Sequence, residues 1–430
     1  MSEPRIEIIP AKVAVASDAT VVLDVLVRVT PPQPEVHFPR PPLNLALVLD
    51  RSGSMSEGKK MPFAREAAVF VVTQLLPTDR VSMTVFDDHI ETVVPNAPAA
   101  DKPGLVRRIQ QVGPRGSTDL HGGWAEGGRQ AESQIAEGGI NRVLLLSDGL
   151  ANVGVTDPNT IATEARGLAA RGVGTTTLGV GDDYNEDLLE AMASAGDGHY
   201  YYIESPAQLV DIFQTELQGL MATLGQKVSL GLKPQGGASV SDVLNDFEKA
   251  PTGRLMLPNL VVGMPVLVLV RLSVPPRPAA DDLLDVRLAW DEPRAVGRRV
   301  ARAALGRLPG VRLADWSALP VHPEVAELSA LLMSARAQRE SARAHERGDR
   351  GLSAQYLAEA RAYAAASPVT AAIRDELEAL DQLGVALNEA TAAKYRKLAK
   401  FRAYSRQKSQ SPPPRPPADP DPPAGAAPGS

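Results

Sequence analysis

Three short polar segments of this sequence carry side chains that could bind a metal ion. The first is Asp50-Arg51-Ser52-Gly53-Ser54, directly after the mostly apolar run Leu43 to Leu49. The others are Gly116-Ser117-Thr118-Asp119 and Ser147-Asp148-Gly149, and the latter follows the apolar run Val143 to Leu146. An apolar run of strand length followed at once by small polar residues is typical of a buried parallel strand whose carboxyl end opens into a site.

The candidate ligands in these segments all offer oxygen. Alternate residues of an extended loop can direct Asp50, Ser52 and Ser54 at one position, and the other two segments are suited to complete the site. Oxygen-only coordination suits Mg²⁺, Ca²⁺ or Mn²⁺ and argues against Zn²⁺ or copper, which prefer imidazole and thiolate. The chain also has no cysteine. We therefore predict a site for Mg²⁺, with Ca²⁺ or Mn²⁺ as alternatives.

A D-x-S-x-S segment alone is a weak signal, because Asp and Ser are common in turns for conformational reasons. Three segments in a consistent order favour a real site. With these segments the chain resembles the von Willebrand factor type A (VWA) family, from about Leu43 to Glu216. The metal-ion-dependent adhesion site of that family combines a D-x-S-x-S loop, a Thr on a second loop and an Asp on a third. The matching positions are Asp50, Ser52, Ser54, Thr118 and Asp148.

The resemblance implies a division of labour among these residues. Ser52, Ser54 and Thr118 would touch the metal directly in the ligand-binding state, while Asp50 and Asp148 would act largely through bound water. If no charged protein group contacts the cation directly, its open coordination position favours an external carboxylate. We therefore expect a protein ligand that offers an Asp or Glu side chain. Family analogy adds a MoxR-type AAA ATPase as a candidate partner.

The hydropathy pattern divides the chain into several units. Strands and helices alternate from Leu43 onward, which predicts a VWA-like (Rossmann-like) α/β domain with a doubly wound, mostly parallel sheet. Strand-like patterns before and after it predict that it is inserted in an antiparallel β-sandwich. A region rich in Ala, Glu, Arg and Leu then predicts two or three antiparallel helices. The predicted units are 1–42 (first strands and linker), 43–224 (VWA domain), 225–315 (rest of the sandwich), 316–408 (helical region) and 409–430 (disordered Pro-rich tail).

The same pattern places the individual elements. Strands of the α/β domain are predicted near residues 43–49, 80–86, 89–95, 141–147, 173–179 and 199–203. Its helices are predicted near 60–76, 102–111, 121–136, 158–171, 186–194 and 206–223. Later strands are predicted at Lys227 to Leu232, Arg254 to Leu257, Val266 to Val274 and Leu284 to Trp290.

Composition limits the classes of partner. The chain has 45 basic and 51 acidic residues and a net charge of −6, so it has no global electrostatic preference for nucleic acid or anionic membrane. The best membrane candidate, Leu255 to Val270, is too short to span, and two strands with a turn explain it better. The first residues lack a secretory signal pattern, and the absence of cysteine fits a reducing interior. We expect a bacterial-type cytoplasmic protein without a membrane or nucleic-acid partner.

Several other polar residues near the predicted site have two interpretations. Asp119 either orients the loop of Thr118 or caps the following helix. His121 is interpreted as a surface residue in a first helical turn rather than a group that contacts a ligand. Asp182 and Asp183 lie at the predicted rim, where acids either influence ligand preference by repulsion or are simply solvated.

The last predicted helix ends in basic residues interleaved with aromatic ones. This end could bind an acidic partner or nucleic acid, but we favour a solvated amphipathic helix whose aromatic side chains pack inward. The basic cluster consists of Lys394, Arg396, Lys397, Lys400, Arg402, Arg406 and Lys408, and its aromatic residues are Tyr395, Phe401 and Tyr404.

Two function classes follow from the predicted site. The leading interpretation is a non-enzymatic, divalent-metal-dependent protein that binds and assembles with other proteins. The alternative is a metal-dependent phosphoryl-transfer enzyme in which Asp50 is the nucleophile. Such enzymes generally have a second acid two residues further on, where this chain has Ser52. No Walker A loop or Ser-His-Asp ordering is found, so we predict that the protein is not an enzyme.

Overall fold

A computed structural model gives the fold of the protein and describes residues 3–33, 40–276, 282–293, 295, 297–388 and 392–409. Within these residues, one hydrophobic core lies in an α/β domain, another lies between two antiparallel sheets, and a smaller one lies among the C-terminal helices. The predicted tail lies almost wholly outside the described residues, as does the middle of the predicted linker.

The chain begins with three strands, of which β1 and β3 belong to a β-sandwich and β2 pairs separately with the later strand β17 (Gly310–Val311). β1 and β3 pair antiparallel, from Arg5 opposite Thr30 to Pro10 opposite Val25. Alternate residues of β3 are buried, as expected for a strand with one face on a core. The strands are β1 (Arg5–Pro10), β2 (Val15–Ala16) and β3 (Val21–Thr30).

The α/β domain follows and has one six-stranded sheet. Its strand order is β6-β5-β4-β7-β8-β9, and all neighbours are parallel except β5 and β6. Every residue of β4, β7, β8 and β9 is buried, which is typical of parallel strands that are covered on both faces. The strands are β4 (Leu43–Asp50), β5 (Arg80–Phe86), β6 (Ile90–Pro98), β7 (Ile140–Ser147), β8 (Val173–Val180) and β9 (Tyr200–Ile203).

Helices connect and cover these strands. Four of them begin at an Asp or Asn whose side chain accepts a backbone N–H of the first turn, which satisfies a donor that the helix itself leaves unpaired. Short 3₁₀ segments precede the first and last helices, at Gly53–Lys59 and Pro206–Gln208. The helices are α1 (Lys60–Gln74), α2 (Lys102–Gln110), α3 (Leu120–Glu132), α4 (Pro158–Ala170), α5 (Glu186–Ala195) and α6 (Leu209–Met221).

The chain then returns to the sandwich, which confirms the predicted insertion. β14 pairs antiparallel with β3 along its whole length, from Val266 opposite Val29 to Val274 opposite Val21. The two sheets are β1-β3-β14-β11 and β12-β10-β15-β16, with β13 also paired to β10. The strands are β10 (Thr223–Pro234), β11 (Ser239–Val243), β12 (Leu255–Met256), β13 (Leu260–Val261), β14 (Val266–Val274), β15 (Leu284–Asp291), β16 (Arg298–Leu305) and β17 (Gly310–Val311).

The C-terminal region is helical, as predicted, but the described residues contain four long helices rather than two or three. Its first long helix packs on the sandwich core through Val325, Leu328 and Leu332. Its last helix packs on the core of the α/β domain through Phe401 and Tyr404. The helices are α7 (Leu313–Ala318), α8 (Pro323–Glu346), α9 (Arg350–Ala365), α10 (Ala371–Asn388) and α11 (Ala392–Gln407).

Two further observations bear on the expected organisation. The predicted boundaries after residues 224 and 315 fall inside β10 and α7, so neither coincides with a loop. In the part of the chain that the structure describes, no helix combines the length and the apolar character that crossing a bilayer requires.

Candidate metal centre

The first ligand loop begins where β4 ends. Asp50 is the last residue of that strand, and its side chain is fully buried. Its Oδ1 accepts the backbone N–H of Ser52 at 2.8 Å, and its Oδ2 accepts the hydroxyl of Ser147 at 2.7 Å. Ser147 ends β7, which is the strand beside β4. The Asp50 carboxylate is therefore fixed between two neighbouring strand ends.

The two serines of the first loop face the third loop. The hydroxyl oxygens of Ser52 and Ser54 lie 3.1 Å apart. The Ser54 hydroxyl donates to Oδ1 of Asp148 at 2.8 Å. Asp148 directly follows β7 and is fully buried. The predicted first and third segments thus meet in one place.

Gly149 marks a small space bordered by oxygen atoms. A Cβ atom added at Gly149 would lie 3.3 Å from Oγ1 of Thr118, 3.6 Å from Oγ of Ser54 and 3.9 Å from Oδ2 of Asp50. These three oxygens come from two different loops and a strand end. An all-oxygen set around a space of atomic size suits a small hard cation and not a soft one. The residues present therefore fit a divalent metal of the predicted kind.

Thr118 is held in place by its neighbours. Its N–H donates to Oδ1 of Asn152 at 3.0 Å, and its carbonyl oxygen accepts the N–H groups of Asn152 and Val153, each at 3.2 Å. Gly116 begins the segment with a positive φ of 71°, and a Cβ there would lie 2.2 Å from Oδ1 of Asp88. Only glycine fits that position without moving the loop.

A lysine already contacts one of the acids. Nζ of Lys60 lies 2.6 Å from Oδ2 of Asp148, and the Lys60 side chain is only 12% exposed. Burial, together with repulsion from Asp148, raises the pKa of Asp50 to about 6, although hydrogen bonds from Ser147 and Ser52 oppose the shift. One ammonium and two ionised carboxylates leave an uncompensated negative charge, which favours a bound cation.

A second acidic group lies on the adjacent β5–β6 turn. Ligand atoms of Asp87, Asp88 and His89 lie within 4.8 Å of one another. Oδ2 of Asp87, however, accepts Nε of Arg51 at 2.9 Å and Nε of Arg115 at 2.6 Å. Burial acts to raise the pKa of Asp87, but these arginines and the His89 N–H outweigh it and lower the pKa. Asp87 therefore links the first loop, through Arg51, to the chain just before the second loop, through Arg115.

Comparison with known proteins identifies the α/β domain. Residues 44–215 match the family model of the von Willebrand factor type A domain. This part of the chain is a VWA domain. Domains of this family generally mediate protein–protein interactions. The predicted family and fold class are thereby confirmed.

Two uncharacterized bacterial proteins are similar in sequence to part of this chain. The chain is 30% identical over 210 residues to the uncharacterized protein sll0103 of Synechocystis sp. (strain ATCC 27184 / PCC 6803 / Kazusa), covering 47% of this chain and 48% of that protein. It is 29% identical over 189 residues to the uncharacterized protein YfbK of Escherichia coli (strain K12), covering 44% of this chain and 33% of that protein. The chain thus spans less than half of the length of either relative.

A solved structure shares the fold of nearly the whole chain. The von Willebrand factor type A protein from Catenulispora acidiphila aligns with 95% of this chain and 98% of its own, with a TM-score of 0.70 and 18% identity. The likeness therefore covers the arrangement of VWA domain, sandwich and helices, and at this identity it concerns the fold alone.

The other candidate residues of the VWA domain have structural contacts. Asp119 caps α3 by accepting a hydrogen bond from a backbone N–H of its first turn, which is the helix-capping role considered above. Nε2 of His121 lies 2.8 Å from Oε2 of Glu164, so this histidine pairs with the next helix of the domain. Oδ1 of Asp182 accepts the hydroxyl of Tyr202 at 2.9 Å. Of these contacts, only that of Asp119 involves a ligand segment, and it fixes the start of α3 directly after Thr118.

The basic cluster of α11 is only partly as expected. Its three aromatic side chains are buried, as predicted. Two of its lysines are buried as well and are not solvated: Lys397 contacts Glu186 at 2.7 Å, and Lys400 contacts Asp187 at 2.7 Å. These lysines attach α11 to the VWA domain, and they are not available to an external polyanion.

Sequence reasoning did not assign roles to Lys60, Asn152 or Ser147. Ser147 has a local signal, because it ends a predicted strand beside Asp148 and its neighbour strand ends at Asp50. Lys60 and Asn152 have no local signal in the sequence. Their contacts depend on how the start of a helix and a loop are placed in three dimensions.

Proposed function

We propose that the VWA domain binds a divalent metal, Mg²⁺ first, and uses it to capture a carboxylate of a protein partner. The observation that carries this proposal is the convergence of Asp50, Ser54 and Thr118 oxygens on the space beside Gly149, with Asp148 hydrogen-bonded to Ser54. The proposed metal residues are Asp50, Ser52, Ser54, Thr118 and Asp148.

The arrangement supports distinct roles for the hydroxyls and the acids. Ser52, Ser54 and Thr118 would hold the metal, and Asp50 and Asp148 would orient its water and offset its charge. When bound, the metal supplies a positive charge with a coordination position for an external Asp or Glu. The chain itself positions the loops, because Asp50 and Thr118 are each fixed by hydrogen bonds.

The alternative, a phosphoryl-transfer enzyme, has less support. A nucleophilic carboxylate needs an oxygen directed at the substrate, yet each oxygen of Asp50 accepts a hydrogen bond, from the Ser52 N–H and the Ser147 hydroxyl. The residue two positions further on is a hydroxyl and offers no second acid for proton transfer. We therefore propose a binding and assembly protein without catalytic activity.

The partner and the compartment belong to the same proposal. A MoxR-type AAA ATPase remains a candidate by family analogy, and the absence of cysteine is compatible with a reducing cytoplasm. Pull-downs from the native host with and without chelator would identify metal-dependent partners. Partners captured equally by the wild type and by Asp50→Ala, with or without chelator, would not use this centre.

Calorimetric titration with Mg²⁺ and Mn²⁺ tests the centre directly. We expect one site in the wild type and no measurable site in Asp50→Ala or Asp148→Ala, because each removes a buried charge that offsets the cation. Ser54→Ala should lose less affinity, since water can replace one neutral ligand. Asp183→Ala, an exposed acid of the same domain, is the matched control and should bind normally.

Unchanged binding in folded Asp50→Ala and Asp148→Ala would refute the assignment. Steady hydrolysis of ATP or a simple phosphate ester that is lost in Asp50→Asn would instead support the enzyme alternative.

A further inference from the structure

A cavity of about 430 Å³ lies where the VWA domain, the sandwich and the end of α11 meet. Arg142, near the start of β7, and His199, just before β9, line its VWA side. Phe247 lines it from the sandwich, and Tyr404 and Lys408 line it from the C-terminal end. Because the ligand loops follow the carboxyl ends of parallel strands, this cavity is at the opposite edge of the sheet from the metal centre.

The cavity lining has more positive than negative charge. Six lining residues are Lys or Arg, and two are Asp or Glu. Two of the arginines pair with acidic side chains, and Arg142 donates to the backbone carbonyl of Asp197. In the described part of the chain, no acidic side chain lies within ion-pair distance of Lys227, Lys249 or Lys408.

Apolar side chains form much of the remaining wall. Phe247, Met256 and Leu257 of the sandwich face the cavity together with alanines of the VWA domain. Burial lowers the pKa of Lys408, and the nearby acids, Asp246 first, only partly offset it. An ammonium beside apolar walls whose nearby acids, among them Asp246 and Glu248, stay beyond ion-pair distance can still attract a ligand that brings a negative charge into contact with it.

The lysine is also held in a defined position. The Gln407 carbonyl accepts Nδ2 of Asn245 at 3.2 Å, and the Ser409 hydroxyl accepts the N–H of Leu267 at 3.0 Å. These contacts attach the residues on either side of Lys408 to the sandwich. The charge is therefore presented on a fixed backbone and not on a free chain end.

Backbone conformation gives an independent indication. Among the described residues, positive φ outside glycine occurs at Lys59, Asp197, Lys227 and Ser409. Asp197 and Lys227 line the cavity, and Ser409 directly follows Lys408. Non-glycine residues rarely adopt a positive φ. Those that do are concentrated at functional sites, where the surrounding structure imposes this conformation.

We propose that this cavity binds a small anionic ligand that carries a carboxylate, phosphate or similar group on an apolar body. Its volume lies in the range of roughly 300–1,000 Å³ that is typical of small-molecule sites. Lys249 and Lys408 supply the positive charge, and Phe247 and Met256 supply apolar contact. The site is separate from the metal centre and does not require a metal.

Fluorescent dye binding to the full-length protein in chelator tests this site. The probe is 8-anilino-1-naphthalenesulfonate, and its neutral counterpart is N-phenyl-1-naphthylamine, which has the same rings without the anion. We expect one saturable site for the anionic dye. Lys408→Met should weaken the anionic dye about tenfold and leave the neutral dye within about twofold, because only the charged contact is removed. Lys233→Met, an exposed lysine outside the cavity, should change neither.

Met256→Ser tests whether both dyes bind in this cavity, because Met256 lines it. Met256 is partly exposed, so this substitution should not unfold the protein. It should weaken both dyes, and Asp50→Ala should weaken neither. Unchanged dye binding in Met256→Ser would place the dyes elsewhere and overturn the proposal. Equal loss of both dyes in folded Lys408→Met would also overturn it, because the charge would then have no role.

Discussion

At the scale of single residues, three buried or nearly buried charges meet at the proposed metal centre. Asp50 and Asp148 are fully buried, and Lys60 lies against Asp148 with little exposure. Burial first, and then repulsion from Asp148, raises the pKa of Asp50. The Lys60 ammonium therefore stabilises the protein when no metal is bound. If a metal binds as proposed, Lys60 would also compete with it for the electrostatic attraction of Asp148.

Lys60→Met should separate these two effects. We expect metal-free stability to fall by about 2–3 kcal/mol, because the buried acids lose their nearest cation. We expect affinity for Mn²⁺ to rise about tenfold, because the competing charge is gone. Thermal unfolding in chelator measures the first effect, and calorimetry measures the second. Lys59→Met, an exposed neighbour, should leave both quantities unchanged. An unchanged or lower metal affinity in Lys60→Met would argue that the lysine orients Asp148 and does not compete.

The proposed ligand positions can be predicted from sequence for a physical reason. Each of the three proposed ligand segments is short and local, and two of them follow apolar runs of strand length, which are typical of buried parallel strands. The residues that support these ligand segments could not be predicted from sequence. Lys60 comes from the start of α1 and Asn152 from a loop that has no regular pattern of its own. Such contacts join parts of the chain that are far apart in sequence and so leave no local pattern.

At the scale of elements, α6 has a special position because it leads directly into the sandwich. α6 ends at Met221 and β10 begins at Thr223, so a single residue separates them. Glu216 on α6 is buried and accepts hydrogen bonds from Thr176 at 2.6 Å and Tyr201 at 2.9 Å. Its Oε2 also lies 2.7 Å from Nδ1 of His199. These contacts fix the helix to the strands β8 and β9.

The pH dependence of stability should report this anchor. Burial acts to raise the pKa of Glu216, but His199 and the hydrogen bonds lower it to about 2. Its ordinary value is 4.5, so its stabilising effect is complete above that pH and declines as the pH falls toward 2. Between pH 6 and 3.5, the wild type should lose about 1 kcal/mol more than Glu216→Gln in urea unfolding.

Glu204→Gln is the control for this experiment, because that glutamate is exposed, and its pH profile should follow the wild type. A stability difference between wild type and Glu216→Gln that stays constant across this pH range would mean that Glu216 is not the titrating anchor.

The elements themselves were predictable to different degrees. β4 and β7 each contain an apolar run, and β8 is rich in Val and Thr, which favour strands; the predicted and observed bounds of all three agree within a few residues. β16 was missed because its sequence, RRVARAAL, is rich in residues that favour helix. It becomes a strand through pairing with β15 along its whole length, with Ala301 and Leu305 facing the core. Tertiary pairing outweighs local preference here.

At the scale of the whole molecule, the helical region joins the other two parts. The VWA domain leaves the sandwich after β3 and returns to it at β10, so it has two covalent connections. The C-terminal helices add a third link, since α8 packs on the sandwich core and α11 on the VWA core. Much of the contact between α11 and the VWA domain is aromatic: Tyr200 meets Phe401 and Tyr404 with ring centroids 5.8 and 5.6 Å apart. The metal centre therefore belongs to one connected structure.

A buried ion pair is the most sensitive point of that third link. Lys397 is 1% exposed, and its Nζ lies 2.7 Å from Oε2 of Glu186 and 2.6 Å from the Tyr184 carbonyl oxygen. Burial acts to raise the pKa of Glu186, but Lys397 outweighs it and leaves the pKa below its ordinary value. Lys397→Met would leave this buried carboxylate with Lys400 at 3.7 Å and Arg396 at 3.8 Å as its remaining cations, neither of them at hydrogen-bond distance.

We expect Lys397→Met to lower the free energy of unfolding by about 3 kcal/mol, because a buried charge without its partner is costly. Lys394→Met on the same helix, whose exposed ammonium pairs with Glu204, should cost less than about 1 kcal/mol. Adding Glu186→Leu to Lys397→Met should restore most of the loss, since no buried charge then remains unpaired. Urea unfolding followed by circular dichroism provides all three values. If Lys397→Met cost no more than Lys394→Met, the aromatic contacts alone would hold α11 on the VWA domain.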